Sequence, residues 1–463
     1  MSDAPRCPWR FGAAHAVSTD WPPGPRAGWG GWSLLAELSR DPLAVLARWR
    51  AEYGDVVHLR VWPLHQVVIS DPALLHEVLV KQHEALTRWP RGMQVFGQLY
   101  GHSVFIAEGQ AWRDKRRALA AGFSRQAAQD AAPAMAEAAG RVLAGWPSAH
   151  PAWRADQALA TLTLEVMARL LFSLELGEAA PTAAQAVRTV LAASHAELFW
   201  PASWPDWLPH KRGKRQARQW LDGLLQRQLH ARLALAEAAW PDDLLSRWLR
   251  LHRADPNAWP LRAVRDECMT ALLAGHETTG ATLAWWMWAL ARQPEIQAEV
   301  SAEACRILRG RAPTVADAPA LTALRRSLEE TLRLHPAAPL LSTRRAIRPI
   351  TVGPWRLPAG TLLLLPVQLA QHDPQAFAQP EDFCPARFAG HEASTHPHWL
   401  PFGLGPRVCL GQHQAMMELT VLAALLAQGF SWRAAAGQPA PQPLLQVSCR
   451  PDALWLDIRR RVG

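Results

Sequence analysis

No run of 18 apolar residues occurs in the chain, its first residues carry no charged-then-apolar leader pattern, and no two cysteines stand as C-x-x-C. These absences exclude a membrane-spanning helix, argue against secretion, and remove zinc knuckles and disulfide scaffolds. Six scattered cysteines (Cys7, Cys268, Cys305, Cys384, Cys409 and Cys449) suit a reducing compartment, so a cytoplasmic protein is expected. His276-Glu277 is not a zinc-protease motif, because H-E-x-x-H requires a second histidine where Gly280 stands. Gly403 and Gly405 do not open a dinucleotide fingerprint, since Val408 takes the third glycine's place. Charged residues make up only 19% against 49% hydrophobic, enough for a large core and too apolar for a disordered chain. A net charge of +9 raises nucleic acid as a ligand, but the 24 tryptophans lie mostly in apolar stretches and no nucleic-acid module is present. No nucleic-acid partner is expected; a basic face for an acidic protein, or a general arginine bias, accounts for the charge.

What is present reads as mainly α with a small β region. Residues 1–20 form a flexible arm, Trp21-Pro22-Pro23-Gly24-Pro25 a stiff entry to the body, and residues 21–463 a single domain. Asp41 to Gly54 has helical spacing; Val56–Leu59 and Gln66–Ile69 make a hairpin around Pro63; Asp71-Pro72 opens another helix. Residues 89–106 mix three glycines with aromatics and fit no period, so an apolar loop is expected there. Gly109 begins a basic helix, and alanine- and leucine-rich helices run from Pro133 to Leu198. An aromatic, proline-rich connection, Phe199 to Pro209, precedes Lys211-Arg212-Gly213-Lys214-Arg215. That segment is expected to be a solvated face, with peripheral membrane contact or an acidic substrate head as alternatives. From Pro260 to Gln293 one helix of roughly 32 residues would be about 48 Å long. Strands are expected at Ile350–Val352 and Leu362–Val367, and Leu444–Cys449 is expected to pair with Leu454–Ile458.

Three constellations carry chemistry. Cys409 sits in Pro401-Phe402-Gly403-Leu404-Gly405-Pro406-Arg407-Val408-Cys409-Leu410-Gly411, a glycine-rich turn running into a helix. Backbone donors and a helix start lower a thiol's pKa, which suits an axial thiolate to haem iron; the ordinary alternative is a buried structural cysteine. The centre of the long helix reads Ala274-Gly275-His276-Glu277-Thr278-Thr279-Gly280: small residues let a flat cofactor approach, and an acid beside a hydroxyl makes a proton relay. The alternative there is a threonine bonded back to its own helix. Trp112 and Arg116, four apart, can converge on one anion or make a cation–π pair.

Phe402, Gly405, Arg407, Cys409 and Gly411 resemble the F-x-x-G-x-R-x-C-x-G signature of the cytochrome P-450 family, with Ala415 and Glu418 at the usual offsets. Gln414 departs from the family, which usually has phenylalanine there. The resemblance implies a P-450 fold with a long central helix over haem b, Cys409 on iron, and Glu277 and Thr278 as the dioxygen-activating pair. It implies that Trp112, Arg116, Arg407 and Arg344 (with Arg345 the rival) contact the haem propionates, that Phe402, Ala274, Gly275 and Gly411 line the cofactor, and that Glu330, Arg333 and Arg387 form a structural triad. Phe96, Phe105, Phe199, Leu273, Leu340, Leu341 and Val447 would line an apolar pocket. Similarity of wording to carotenoid and fatty-acid hydroxylases implies a terpenoid-like or fatty-acyl substrate for a monomeric monooxygenase that uses O2. No flavin or iron–sulfur module is read, so NAD(P)H-derived electrons would arrive through a separate ferredoxin and its reductase, docking at Arg113, Lys115 and Arg117. Competing readings are a peroxide-driven or isomerising haem-thiolate enzyme and a non-catalytic haem protein that binds ligands.

Overall fold

The computed structural model describes residues 21–200 and 207–461. The arm expected at 1–20 and positions 201–206 of the aromatic connection lie outside the described residues. By its contacts the chain divides into two compact units: one is the chain up to Thr87 with Arg344–Leu364, the other Arg88–Thr343 with Leu365 onward.

In the first unit, helix α1 (Trp32–Arg40) is followed by α2 (Pro42–Tyr53) and α3 (Pro72–His76). Asp41 and Asp71 each accept a backbone N–H three residues on, from Ala44 and Leu74, and each precedes a proline at the first helical position. Those caps satisfy N–H groups that have no partner within the helix. The predicted hairpin is present as antiparallel strands Val56–Val61 and Leu64–Ile69, the second also running parallel to Leu362–Leu365. Trp21 stacks on His58 and His65 of the hairpin at 4.4 and 4.3 Å, and His58 donates its N–H to the Pro23 carbonyl, which pins the proline-rich entry.

The second unit is helical: α4 (Pro90–Tyr100), α5 (Gly109–Ala120), α6 (Arg125–Ala144), α7 (Ala155–Phe172), α8 (Ala180–Leu198), α9 (Arg212–Leu233), α10 (Leu244–Ala254), α11 (Leu261–Arg292), α12 (Pro294–Leu308), α13 (Thr322–Leu334), α14 (Val367–Gln371) and α15 (Gln412–Gly429). The expected loop at 89–106 is thus corrected, for α4 occupies most of it. Pro90 suits the first turn, Val95, Leu99 and Tyr100 are buried, and Gly92 and Gly97, which obscured the period, lie inside the helix. A strand at Ala149–Arg154 was not expected. It pairs with Trp455–Arg460, which pairs on its other edge with Phe430–Ala434. Leu454–Ile458 therefore does not pair with Leu444–Cys449; the latter stretch folds on itself as a hairpin, Pro443–Leu445 against Cys449–Pro451. The strand after Thr361 ends at Leu365, because Val367 begins α14.

The basic segment is corrected as well. Lys211 and Lys214 are buried and both pair with the buried Glu197 of α8, at 3.0 and 2.7 Å, while Lys214 also donates to Gln98 of α4. Three helices are tied by these charges, so the lysines are structural rather than solvated. At the centre lies α11, 32 residues long and buried around most of its circumference, as a helix enclosed by others must be. Helix α7 lies close along it because Gly275 and Gly280 have no side chains; a Cβ at Gly275 would come within 2.2 Å of Met167 and one at Gly280 within 3.1 Å of Thr163.

Candidate active site

The turn before Cys409 depends on Gly403 and Gly405, whose φ values of +76° and +75° are unfavourable for any residue with a Cβ. Cys409 donates its N–H to the Phe402 carbonyl and Val408 to that of Gly405, each at 2.9 Å, and α15 begins just beyond Gly411. Cys409 is exposed, yet desolvation by surrounding protein pushes its thiol up, against the Gly411 N–H and the Arg116 guanidinium, which favour the thiolate. A sulfur both reachable and desolvated faces a recess rather than open solvent. The expected lowering of its pKa is corrected, because burial outweighs the donors.

The loop is held from α13. Glu330 and Arg333, both fully buried, form two hydrogen bonds of 2.8 and 2.9 Å, and Arg387 Nε donates to the same carboxylate at 2.9 Å, as does the Cys384 N–H. Arg333 also donates to the carbonyls of Gln371, Pro380 and Asp382, and Arg387 to those of Ala378, Gln379 and Asp382. Gln371 bonds back to α13 and accepts the Leu400 N–H at 2.7 Å, while the Trp399 indole donates to the Glu329 carbonyl. The triad thus reaches the start of the cysteine loop through the backbone it anchors.

Within α11, Ala274 is exposed and Thr278 partly so, whereas Leu273, His276 and Glu277 are buried. Thr278 Oγ1 donates to the Ala274 carbonyl at 2.9 Å, the ordinary helical back-bond, which leaves its oxygen able to accept. Burial pushes the Glu277 carboxyl up; the Ser448 hydroxyl, Arg450 and Arg188 pull it down. Gly275 does not leave room for a cofactor as expected, since Met167 takes the space beside it; Ala274 is the small residue left uncovered.

Trp112, Arg116 and Arg407 come together. Arg407 lies 4.1 Å from the Trp112 ring and Arg116 5.9 Å from it; Arg116 donates to the Val408 carbonyl at 2.9 Å. Glu108, which pairs with Arg407 and lies 3.4 Å from Arg88, was not foreseen from the sequence; no spacing links it to residue 407. Arg344 is buried and Arg345 exposed, which separates the two rivals. Lys115 is removed from the expected docking face: it turns inward to Glu267 at 2.9 Å, leaving Arg113 and Arg117 exposed. Of the pocket candidates, Phe96, Phe105, Leu273 and Val447 share one apolar cluster with Leu410, beside Cys409. Tyr100, missed in the misread loop, packs 5.1 Å from Phe105. Leu340 is half-buried, Leu341 stands against Gly403, and Phe199 packs on His195 apart from that cluster. Phe402 packs edge-on to Trp399, and Gly411 is under no steric demand, its nearest neighbour being Phe123 at 3.9 Å from a would-be Cβ.

Residues 22–454 match the family model described as Cytochrome P450. The chain belongs to the cytochrome P450 family. It is 30% identical over 416 residues to cyclooctat-9-en-7-ol 5-monooxygenase of Streptomyces melanosporofaciens, covering 86% of this chain and 87% of that protein. It is 29% identical over 427 residues to cyclooctatin synthase of the same organism, covering 91% and 92%. Similarity extends to cytokinin hydroxylase of Arabidopsis thaliana, 26% identical over 396 residues, covering 83% and 77%. This P450 is a monooxygenase, and its family uses haem and O2. The residues present fit a haem: a desolvated but reachable thiol, guanidiniums gathered beside an indole, and an uncovered alanine within a buried helix. No helix among the described residues is long and apolar enough to cross a membrane.

Proposed function

We propose that this P450 inserts one oxygen atom from O2 into a C–H bond of an apolar small molecule, terpenoid-like or fatty-acyl. The observation that carries the reading is the apolar cluster that joins Leu273, next to the uncovered Ala274, with Phe96, Phe105, Val447 and Leu410, next to Cys409. Two relatives named for cyclooctatin chemistry support a terpenoid-like substrate. Residues 21–463 act as one catalytic domain, a reading supported by the family match across both units.

Cys409 would ligate iron, and Trp112, Arg116 and Arg407 would hold the propionates. The bound haem supplies the binding and activation of O2. Burial pushes the Glu277 carboxyl above the ordinary carboxylate range, which suits it to carry a proton towards the Thr278 hydroxyl, whose oxygen can accept. The apolar side chains orient the substrate and exclude water. Electrons come from NAD(P)H through a ferredoxin and its reductase, docking at Arg113 and Arg117. A cytoplasmic location accords with the unpaired cysteines among the described residues.

The reduced carbon monoxide spectrum tests the thiolate: the wild type should give the strongly red-shifted Soret band and Cys409→Ser should lose it. A wild type without that band would overturn the assignment. Turnover of a terpene alcohol or fatty acid that shifts the Soret band, with NADH and a surrogate ferredoxin system, tests the hydroxylase reading against a ligand-binding protein.

A further inference from the structure

Gln185, Arg188, Thr189 and Ala192 of α8 stand at spacings of three and four and so share one helical face. That face, the start of α7 and the end of the hairpin Pro443–Leu445/Cys449–Pro451 enclose a polar crevice of about 380 Å³. Of its charged groups, Arg154 is satisfied: it forms a two-bond pair with Asp156, at 2.9 Å each, and lies 4.8 Å from the Trp455 ring. Asp452 uses only Oδ1, which accepts the N–H groups of Gln442 and Ala453; its Oδ2 makes no hydrogen bond among the described residues. Arg188 is different. It is half-buried, and its nitrogens make no hydrogen bond or ion pair among the described residues, yet none of them is sealed from solvent. Burial disfavours its charge first, then Arg450 and Arg154, with Asp156 and Glu277 opposing. Arg450, on the facing wall, is anchored from behind: Nη1 donates to the Pro451 carbonyl and the buried Nε lies 4.0 Å from Glu277 Oε1. Its Nη2 is left reachable, with no hydrogen bond among the described residues.

A partly desolvated guanidinium ordinarily keeps an anion on its N–H fork, because burying an unpaired charge is costly. Two guanidiniums that line one crevice, neither hydrogen-bonded to a carboxylate, form a donor set that suits a tetrahedral phosphate dianion. The crevice is larger than a phosphate alone needs, and its size falls within the roughly 300–1,000 Å³ of small-molecule sites. Its remaining groups suit hydroxyls: the Gln157 carboxamide makes no hydrogen bond among the described residues, and Asp452 Oδ2 can accept. We propose that this crevice binds a small phosphorylated sugar or polyol, with its phosphate on Arg188 and Arg450 and its hydroxyl groups on Gln157 and Asp452. The site is separate from the oxygenase reading and does not depend on it. A bound phosphate supplies the charge that Arg188 lacks and links α8 to the hairpin, so occupancy stabilises the fold.

The test is calorimetric titration of the haem-loaded protein at low salt with glucose 6-phosphate and glycerol 3-phosphate, against glucose and inorganic phosphate. At least one of the two esters should bind saturably at one site and raise the thermal midpoint, inorganic phosphate should compete with it more weakly, and glucose should give no binding heat. Arg188→Gln and Arg450→Gln should each weaken the ester about tenfold or more, since each removes charged hydrogen bonds to the phosphate. Both should keep the carbon monoxide spectrum of the wild type, which separates a lost site from a misfolded protein. Gln157→Ala should weaken the ester a few-fold and leave inorganic phosphate unchanged. Because the Arg188 charge has no bonded partner, Arg188→Gln without ligand should unfold at the wild-type temperature or above it. No saturable binding of either ester, or wild-type affinity in Arg188→Gln, would overturn the site. An ester that binds no more tightly than inorganic phosphate and is indifferent to Gln157→Ala would overturn the assignment of a sugar or polyol ligand.

Discussion

Replacing Glu330 with glutamine keeps the shape of the side chain and removes its charge. In the native protein its carboxylate accepts from Arg333 Nε and Nη2, Arg387 Nε and the Cys384 N–H, at 2.8 to 2.9 Å, and is fully buried. Glutamine offers one oxygen and turns an N–H2 donor towards groups that are themselves donors, and it leaves two guanidiniums without their anion. Breaking a buried charge pair on one side costs about 3–5 kcal/mol, roughly a fifth or more of a total stability of about 5–15 kcal/mol. Urea unfolding followed by tryptophan fluorescence should show a lower midpoint with little change in slope. The haem-thiolate band of the reduced carbon monoxide complex should weaken in parallel, because Gln371 and Trp399 carry the disturbance to the cysteine loop. Glu299, 62% exposed and 3.9 Å from Arg326, provides the control, and Glu299→Gln should leave the midpoint unchanged. A Glu330→Gln protein within about 1 kcal/mol of wild type would refute the argument that the triad's value lies in its desolvated charge.

Gly101 ends α4 at φ +58°, and a Cβ there would lie within 2.4 Å of three Asp266 carboxyl atoms, so Gly101→Ala should cost about 2 kcal/mol or more in urea unfolding. Burial pushes the Glu418 carboxyl up to about 8, so it is neutral in the folded protein at pH 5; its folded value lies above its unfolded one, and the stability it allows is full below about pH 4.5 and is lost as pH rises through 8. Glu418→Gln should therefore gain on wild type in urea midpoint between pH 5 and pH 8, and a pH-independent difference would contradict this. Glu197→Gln should destabilise by about 3–5 kcal/mol, because Lys211 and Lys214 would stay buried without their carboxylate; unfolding midpoints within about 1 kcal/mol of wild type would exclude that.

Much of the candidate site was legible because its parts are local in the chain. The cysteine loop declares itself by glycines where the backbone needs positive φ, Glu330 and Arg333 share a helical face at a spacing of three, and Trp112 and Arg116 do so at four. Helix α11 could be bounded from Pro260 and Gln293 because a proline start and a lost period are short-range signals. Which partner meets each of these residues was not legible. Lys115 and Lys211 read as surface cations and became buried ones, because Glu267 and Glu197 come from other helices. Gly275 reads as space for a cofactor and is filled by Met167 of α7. Strand Ala149–Arg154 has little apolar pattern of its own and takes its pairing from Trp455–Arg460, about 300 residues away. The chain by itself determined the iron-ligand candidate, the acid and hydroxyl, and the helical class, since those follow from residue type and spacing of a few positions. Only the tertiary structure decided which charges are buried, which small residue stays uncovered, and that Arg450 comes to lie 4.0 Å from Glu277, because desolvation and pairing are set by neighbours remote in sequence.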